Sequence, residues 1–201
     1  MRLNRVEYAM MNNPLRASIQ RRFEARRLLR MGGAMGGGAA LEIGCGRGVG
    51  TQLIFEVFGA DHVDAFDLDP RMAQQARRRL ARHGARARVW VGDATAIAAP
   101  DATYDAVFDF GIIHHIPRWR LALAEVCRVL RPGGRFYTEE ILSDFIHHPL
   151  LRRVLDHPLE DRFDAATFSA ALADSGLTSI DSNAFGSWVA WVVAAKPARV
   201  S

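Results

Sequence analysis

Between Leu41 and Gly50 the chain reads LEIGCGRGVG, and this stretch constrains the fold more than any other. The apolar segment AALEI runs into glycines at positions 44, 46, 48 and 50, two residues after the acid Glu42. A strand, a glycine-rich bend and then a helix is a pattern that lets backbone turn tightly and approach a ligand. Beyond the bend, two kinds of segment alternate. HVDAFDL, ARVWVG, YDAVFDF and Arg135 to Ile141 read as strands. Val49 to Phe58, Pro70 to His83 and Trp119 to Leu130 read as helices, with Asp69 placed to cap the second and Pro70 suited to its first turn. Such alternation predicts a mostly parallel sheet with helices on both faces. A last helix, Asp164 to Ser175, stops at Gly176. Leu177 to Asn183 and Trp188 to Ala195 then close the chain with only a short loop between them. They are expected to pair antiparallel at one edge, because a parallel pair needs a long crossover.

Three kinds of ligand loop fit a strand that runs into Gly-x-Gly. A phosphate loop needs Gly-Lys-Ser/Thr at its end, and the sole lysine is Lys196. A dinucleotide loop, G-x-G-x-x-G, fails in both registers: from Gly44 the third glycine falls on Val49, and from Gly46 it falls on Thr51. The third kind is an adenosyl site without a pyrophosphate.

Glu42-Ile-Gly-Cys-Gly-Arg-Gly48 resembles motif I of the class I S-adenosylmethionine-dependent methyltransferases, E/D-x-G-x-G-x-G. FDLDPRM, VGDA, YDAVFDFGIIHHI and VLRPGGRFYTEE resemble the family's later motifs, in order, from about Ala39 to Glu140. The resemblance implies an α/β, Rossmann-like fold with a mostly parallel seven-stranded sheet in the order 3-2-1-4-5-7-6, an antiparallel edge and helices on both faces. It implies S-adenosylmethionine as cofactor and S-adenosylhomocysteine as product. Gly44, Cys45, Gly46 and Gly48 would form the loop at the amino-acid end, with Cys45 simply a small residue. Glu42 would place negative charge near the ammonium. Asp67 would accept from the ribose hydroxyls, and Asp93 from the adenine amino group. The Ala94 amide would face a ring nitrogen. Leu68 and Met72 would pack on the purine, and Phe110 would close the site from the fourth strand.

The acceptor is expected beyond the ends of the fourth and fifth strands, near Asp109, Gly111, Glu139 and Asp144. Methyl transfer from a sulfonium is an in-line displacement that alignment alone can drive, so a base is not obligatory. His114 and His115 are candidate bases, with a local structural role as the competing reading. Glu140 is a candidate to orient the acceptor or take its proton. His147, His148 and His157 show no convincing metal spacing, and no metal is expected. The segment Ser143 to Arg162 is rich in apolar residues and reads as a substrate-facing insert. The expected function is methyl transfer to a small or lipophilic acceptor oxygen, nitrogen or carbon. The alternative is a non-catalytic subunit that binds the cofactor beside a partner. The stretch DFGIIHH stands where many nucleic-acid-methylating members carry NPPY/F, which points away from nucleic acid.

Charge is unevenly placed. Of the chain's net +4, residues 1–31 carry eight arginines against two glutamates. The basicity therefore belongs to an N-terminal helical arm, about Leu15 to Met31, joined by GGAMGGGAA to a domain at 39–197. Leu15, Ile19, Phe23 and Leu29 form its apolar arc. It reads as a helix packed on the domain, or as a lid or docking surface for an anionic substrate, RNA or a membrane. Two isolated cysteines make no disulfide scaffold, which fits a reducing cytoplasm. No transmembrane segment is legible, peripheral membrane contact remains open, and oligomeric state is not legible.

Overall fold

The computed structural model describes residues 14–147 and 161–198. Its helices and strands alternate as the sequence predicts. Strands β1 (Ala39–Ile43), β2 (His62–Asp67), β3 (Ala87–Val91), β4 (Tyr104–Phe110) and β5 (Leu130–Ile141) pair in parallel. Strand β6 (Thr178–Phe185) pairs antiparallel with β7 (Val189–Ala195), which in turn pairs antiparallel with β5. The single sheet has seven strands in the order β3-β2-β1-β4-β5-β7-β6. The one reversed strand, β7, lies between β5 and the edge strand β6.

Helix α1 starts at Pro14 and comprises Pro14–Ile19, a π-helical turn Gln20–Glu24, and Ala25–Gly32. Helix α2 is Val49–Leu53 continued by a π-helical stretch, Ile54–Phe58. Helix α3 is Pro70–Leu80, and the Asp69 carboxylate caps it by accepting from the Arg71 amide. Among the described residues helices α4 (Trp119–Val129), α5 (Ser143–Ile146) and α6 (Ala165–Asp174) follow. On one face of the sheet, Ala25 and Leu28 of α1 join Leu53, Ile54 and Phe58 of α2 against Phe108, Tyr137 and Val193. On the other, Trp119, Leu123 and Val126 of α4 meet Phe168 and Leu172 of α6 and Phe163 before it. Much of the segment expected as a substrate-facing insert, with His148 and His157, lies outside the described residues.

Helix α1 departs from its expected face. Ile19 is 40% exposed and Phe23 68% exposed, while Gln20, Glu24, Ala25 and Leu28 are buried. At about 100° per residue Gln20, Glu24, Ala25 and Leu28 share the arc opposite Ile19 and Phe23, and it is this arc that packs on the protein, with Glu24 paired to Arg16. The helix is nonetheless built into the core. The Tyr137 hydroxyl donates to the carbonyls of Gly32 (3.1 Å) and Gly33 (2.9 Å). Leu28→Ala should therefore lower the unfolding free energy by about 3 kcal/mol, whereas Phe23→Ala should change it by less than about 0.5 kcal/mol. Urea titration distinguishes the two; equal small effects would mean that α1 contributes nothing to the core.

Candidate active site

The parallel strands end on one rim, and a cavity of about 380 Å³ opens there. Its floor is the bend after β1. Gly46 has φ +51°, and the space where a side chain would start holds no atom within 4 Å. Backbone is bare there, and a ligand can lie against it. The Gly46 amide donates to Asp67 Oδ2 at 2.8 Å, and Asp67 Oδ1 accepts from the Asp69 amide at 2.8 Å. Asp67 thus ties the bend of β1 to the end of β2. Burial raises its pKa, with the Asp69 and Gly46 amides opposing that shift.

The structure brings Glu42, Gly44, Cys45, Gly46, Asp67, Leu68, Met72, Asp93, Ala94 and Phe110 together on this cavity, along with His115. Asp93 is exposed and held by Thr95, whose amide and hydroxyl donate to it at 2.8 and 2.9 Å. Leu68 is 52% exposed and Met72 only 4%. Burial pushes the Cys45 thiol up, so it stays protonated and is no nucleophile. Gly48 does not line the cavity. With φ +79°, it lets α2 approach α3, where a Cβ would meet Ala76 at 3.3 Å.

Glu42 is 2% exposed and accepts from the Thr51 hydroxyl. Burial pushes its pKa up to about 8, with Asp67 and Asp109 adding to the rise. The carboxyl is thus mostly protonated near neutrality, and a cation beside it would favour its ionised form.

Beyond β4 the candidate acids and bases separate: His115 lines the cavity, and His114 and Glu140 lie behind it. His114 is 2% exposed, Glu140 1%, and neither lines the cavity. Glu140 Oε1 accepts from the Ile113 amide at 2.7 Å, and Oε2 from the His114 amide at 3.1 Å. The ring Nδ1 of His114 lies 2.6 Å from Oε2. One strand over, Asp109 Oδ1 accepts from the amides of Gly111 (3.1 Å) and Ile112 (2.9 Å), and Oδ2 accepts from the Thr138 hydroxyl (2.7 Å). Four consecutive amides are therefore held by two buried carboxyl groups. Burial raises the pKa of both, and the charge of Glu140 adds to the rise at Asp109. Their role is to hold the 111–115 loop, which presents His115 to the cavity with its ring centroid 4.2 Å from that of His114.

Glu139 also lies behind the site. It accepts from Trp191 Nε1 at 2.7 Å and lies 3.6 Å from Arg16. Burial raises both it and Glu24, which pairs with Arg16. Asp144 does not line the cavity. Conversely, sequence reasoning missed Arg16, Gln20 and Arg118, all of which do. Arg16 and Gln20 reach the cavity from the polar side of α1, the side that the apolar pattern assigns to solvent. Among the described residues no three His, Cys, Asp or Glu side chains gather to hold a metal ion.

Residues 40–134 match the family model described as a methyltransferase domain. The strand order, the glycine bend and the strand-end acids, together with this match over just under half of the chain, support a class I S-adenosylmethionine-dependent methyltransferase. Among curated relatives, it is 32% identical to fatty-acid O-methyltransferase of Mycolicibacterium smegmatis, over 74% of this chain and 47% of that protein. It is 36% identical to malonyl-[acyl-carrier protein] O-methyltransferase of Serratia marcescens, over 59% of this chain and 44% of that one. The chain thus spans under half the length of these relatives. A solved S-adenosylmethionine-dependent methyltransferase from Aquifex aeolicus shares the fold with a TM-score of 0.75, at 19% identity over 97% of this chain and 100% of that one.

The raised Glu42 carries a pH signature. Its folded pKa lies above that of an unfolded carboxylate, so the folded chain holds a proton that the unfolded chain releases. Stability should fall as pH rises from the ordinary carboxylate range to about 8. Glu42→Gln should flatten that fall by up to one proton, roughly 1.4 kcal/mol per pH unit. Urea midpoints measured across this window would test it; an unchanged slope would mean that Glu42 is ionised in the folded chain.

Proposed function

We propose that the chain transfers a methyl group from S-adenosylmethionine to an oxygen of a small lipophilic acceptor, with a carboxylate oxygen the favoured nucleophile. The observation that carries this reading is the joining of the bare bend at Gly46, the buried Glu42 and the strand-end acids Asp67 and Asp93 on one cavity. The cofactor, when bound, supplies an electrophilic methyl on a cationic sulfur. The residues present suit it. The remaining lone pairs of Asp67 would accept from the ribose hydroxyls, Asp93 would accept from the adenine amino group, and Leu68 and Met72 would flank the purine. Glu42 would ionise beside the ammonium.

Among the other residues lining the cavity, Arg16 and Gln20 from α1 and Ile112, His115, Ile116 and Arg118 after β4 would make the acceptor end. Aliphatic side chains there suit a lipophilic body, and the guanidinium groups suit an anionic head. A carboxylate is already ionised at neutral pH, so it can attack the methyl without losing a proton. The 111–115 loop then contributes position rather than proton transfer, and the rate comes from in-line alignment. The names of the two curated relatives, both O-methyltransferases of acyl compounds, support an oxygen acceptor.

Isothermal titration should detect binding of S-adenosylhomocysteine, and Asp67→Ala should weaken it by about 10- to 100-fold. Unchanged affinity would place the ribose elsewhere. With a fatty acid as acceptor, His115→Ala should cost less than about tenfold in kcat/KM and leave the pH profile near neutrality unmoved. Loss of a neutral-range ionisation in that variant would instead make His115 a general base and favour a hydroxyl or carbon acceptor. No turnover with any acyl or hydroxyl acceptor, at retained cofactor affinity, would leave a non-catalytic binding role.

A further inference from the structure

We propose that the outer face of α1 docks on an anionic phospholipid surface. The helix segments from Pro14 to Gly32 contain six arginines and one glutamate. Three of those arginines are engaged with the protein. Arg16 pairs with Glu24, Arg21 with Glu56, and the Arg27 guanidinium sits 4.3 Å over the Trp191 ring. The other three, Arg22, Arg26 and Arg30, are exposed and make no hydrogen bond or ion pair among the described residues. They recur every fourth position and so form a stripe along the helix. Ile19 and Phe23 stand three or four positions from Arg22 and Arg26 and complete one face, 40% and 68% exposed. The only acid between Pro14 and Gly32, Glu24, is turned inward at 8% exposed, so among the described residues no acid of α1 stands on this face to offset its charge.

Charge complementarity selects the partner's sign, and the apolar residues select its kind. A phosphate array alone would satisfy the arginines. Ile19 and Phe23 leave water only if the partner offers an apolar layer beneath its phosphates, as a bilayer does. Each arginine near an anionic leaflet adds attraction, and the aromatic ring adds apolar burial. The position in the fold agrees. The same helix lines the cavity with Arg16 and Gln20 from its other side, so docking would set the cavity close to the lipid. Among the described residues no helix is long and apolar enough to cross a membrane, so the attachment is peripheral. The surface does not depend on the methyl-transfer reading, and its test reads binding only.

The test is co-sedimentation of the 201-residue chain with vesicles of phosphatidylcholine, alone or mixed with phosphatidylglycerol. Binding is expected to the mixed vesicles only, and to weaken with added salt. Replacing Arg22, Arg26 and Arg30 by Gln should cut partitioning by about 100-fold, and Phe23→Ser by about tenfold. Unchanged circular dichroism and S-adenosylhomocysteine affinity would show that both variants are folded. Equal binding to neutral vesicles, or no binding to either, overturns the proposal. So does a Phe23→Ser variant that binds anionic vesicles normally. A single-stranded RNA bound more tightly than the vesicles, and lost only in the arginine variant, would assign the face to nucleic acid instead.

Discussion

The hydrogen bond from the Gly46 amide to Asp67 is the contact on which the site depends. A glycine bend alone is floppy, because the residue that permits a left-handed turn also permits many others. Asp67 removes that freedom by accepting from the bend with one oxygen and from the Asp69 amide with the other. The two strands are already in register, with Ile43 beside Phe66. The carboxylate therefore holds the bend without extra machinery, and lone pairs remain for a ligand. The same residue type recurs where β4 ends. Asp109, with Glu140 from β5, holds the loop from Gly111 to His114, so both walls of the cavity are backbone pinned by strand-end acids.

Those acids have an electrostatic consequence. Glu42, Asp67, Asp109, Glu139 and Glu140 lie at the carboxyl ends of adjacent strands, and burial raises the pKa of every one. Such a cluster cannot all ionise in a low-dielectric setting, and protons held there lower its cost in the empty chain. A cationic ligand changes that balance, because its charge compensates carboxylates that water cannot reach. Of these acids Glu42 and Asp67 line the cavity, so a cation bound there would favour their ionised forms.

How much of this is legible in the sequence depends on the range of the interaction. The strands, the Asp69 cap and the antiparallel pairing of the last two strands rest on local pattern and chain connectivity and read directly, whereas the full sheet order followed from the family resemblance. Ten of the eleven residues assigned to cofactor contact reach the cavity, because a strand-end position is set by its own strand. Gly48 does not, since a glycine serves a ligand and a close helix contact equally well and only Ala76, far along the chain, decides between them. His114 and Glu140 are legible as residues of the right chemistry in the right region. Their mutual hydrogen bond, across 26 positions, withdraws them from the cavity. No local signal carries that pairing.

Helix α1 shows the same limit and gives it a use. The apolar pattern alone would bury the arc of Ile19, Phe23 and Leu29 and leave Gln20 and Glu24 in solvent. The helix instead packs its opposite arc, with Gln20, Glu24, Ala25 and Leu28. Burying Gln20 and Glu24 in place of Ile19 and Phe23 is unfavourable in hydration terms, by about 1.5–3 kcal/mol for an exposed phenylalanine that could have been covered. Leu28, Ala25 and the Tyr137 contacts supply the packing that holds the helix in place nonetheless. Such local inconsistency between sequence pattern and structure is expected where a function requires it. Here it places polar groups on the cavity and leaves an apolar, cationic face outward, so the two sides of one helix differ in what they can meet.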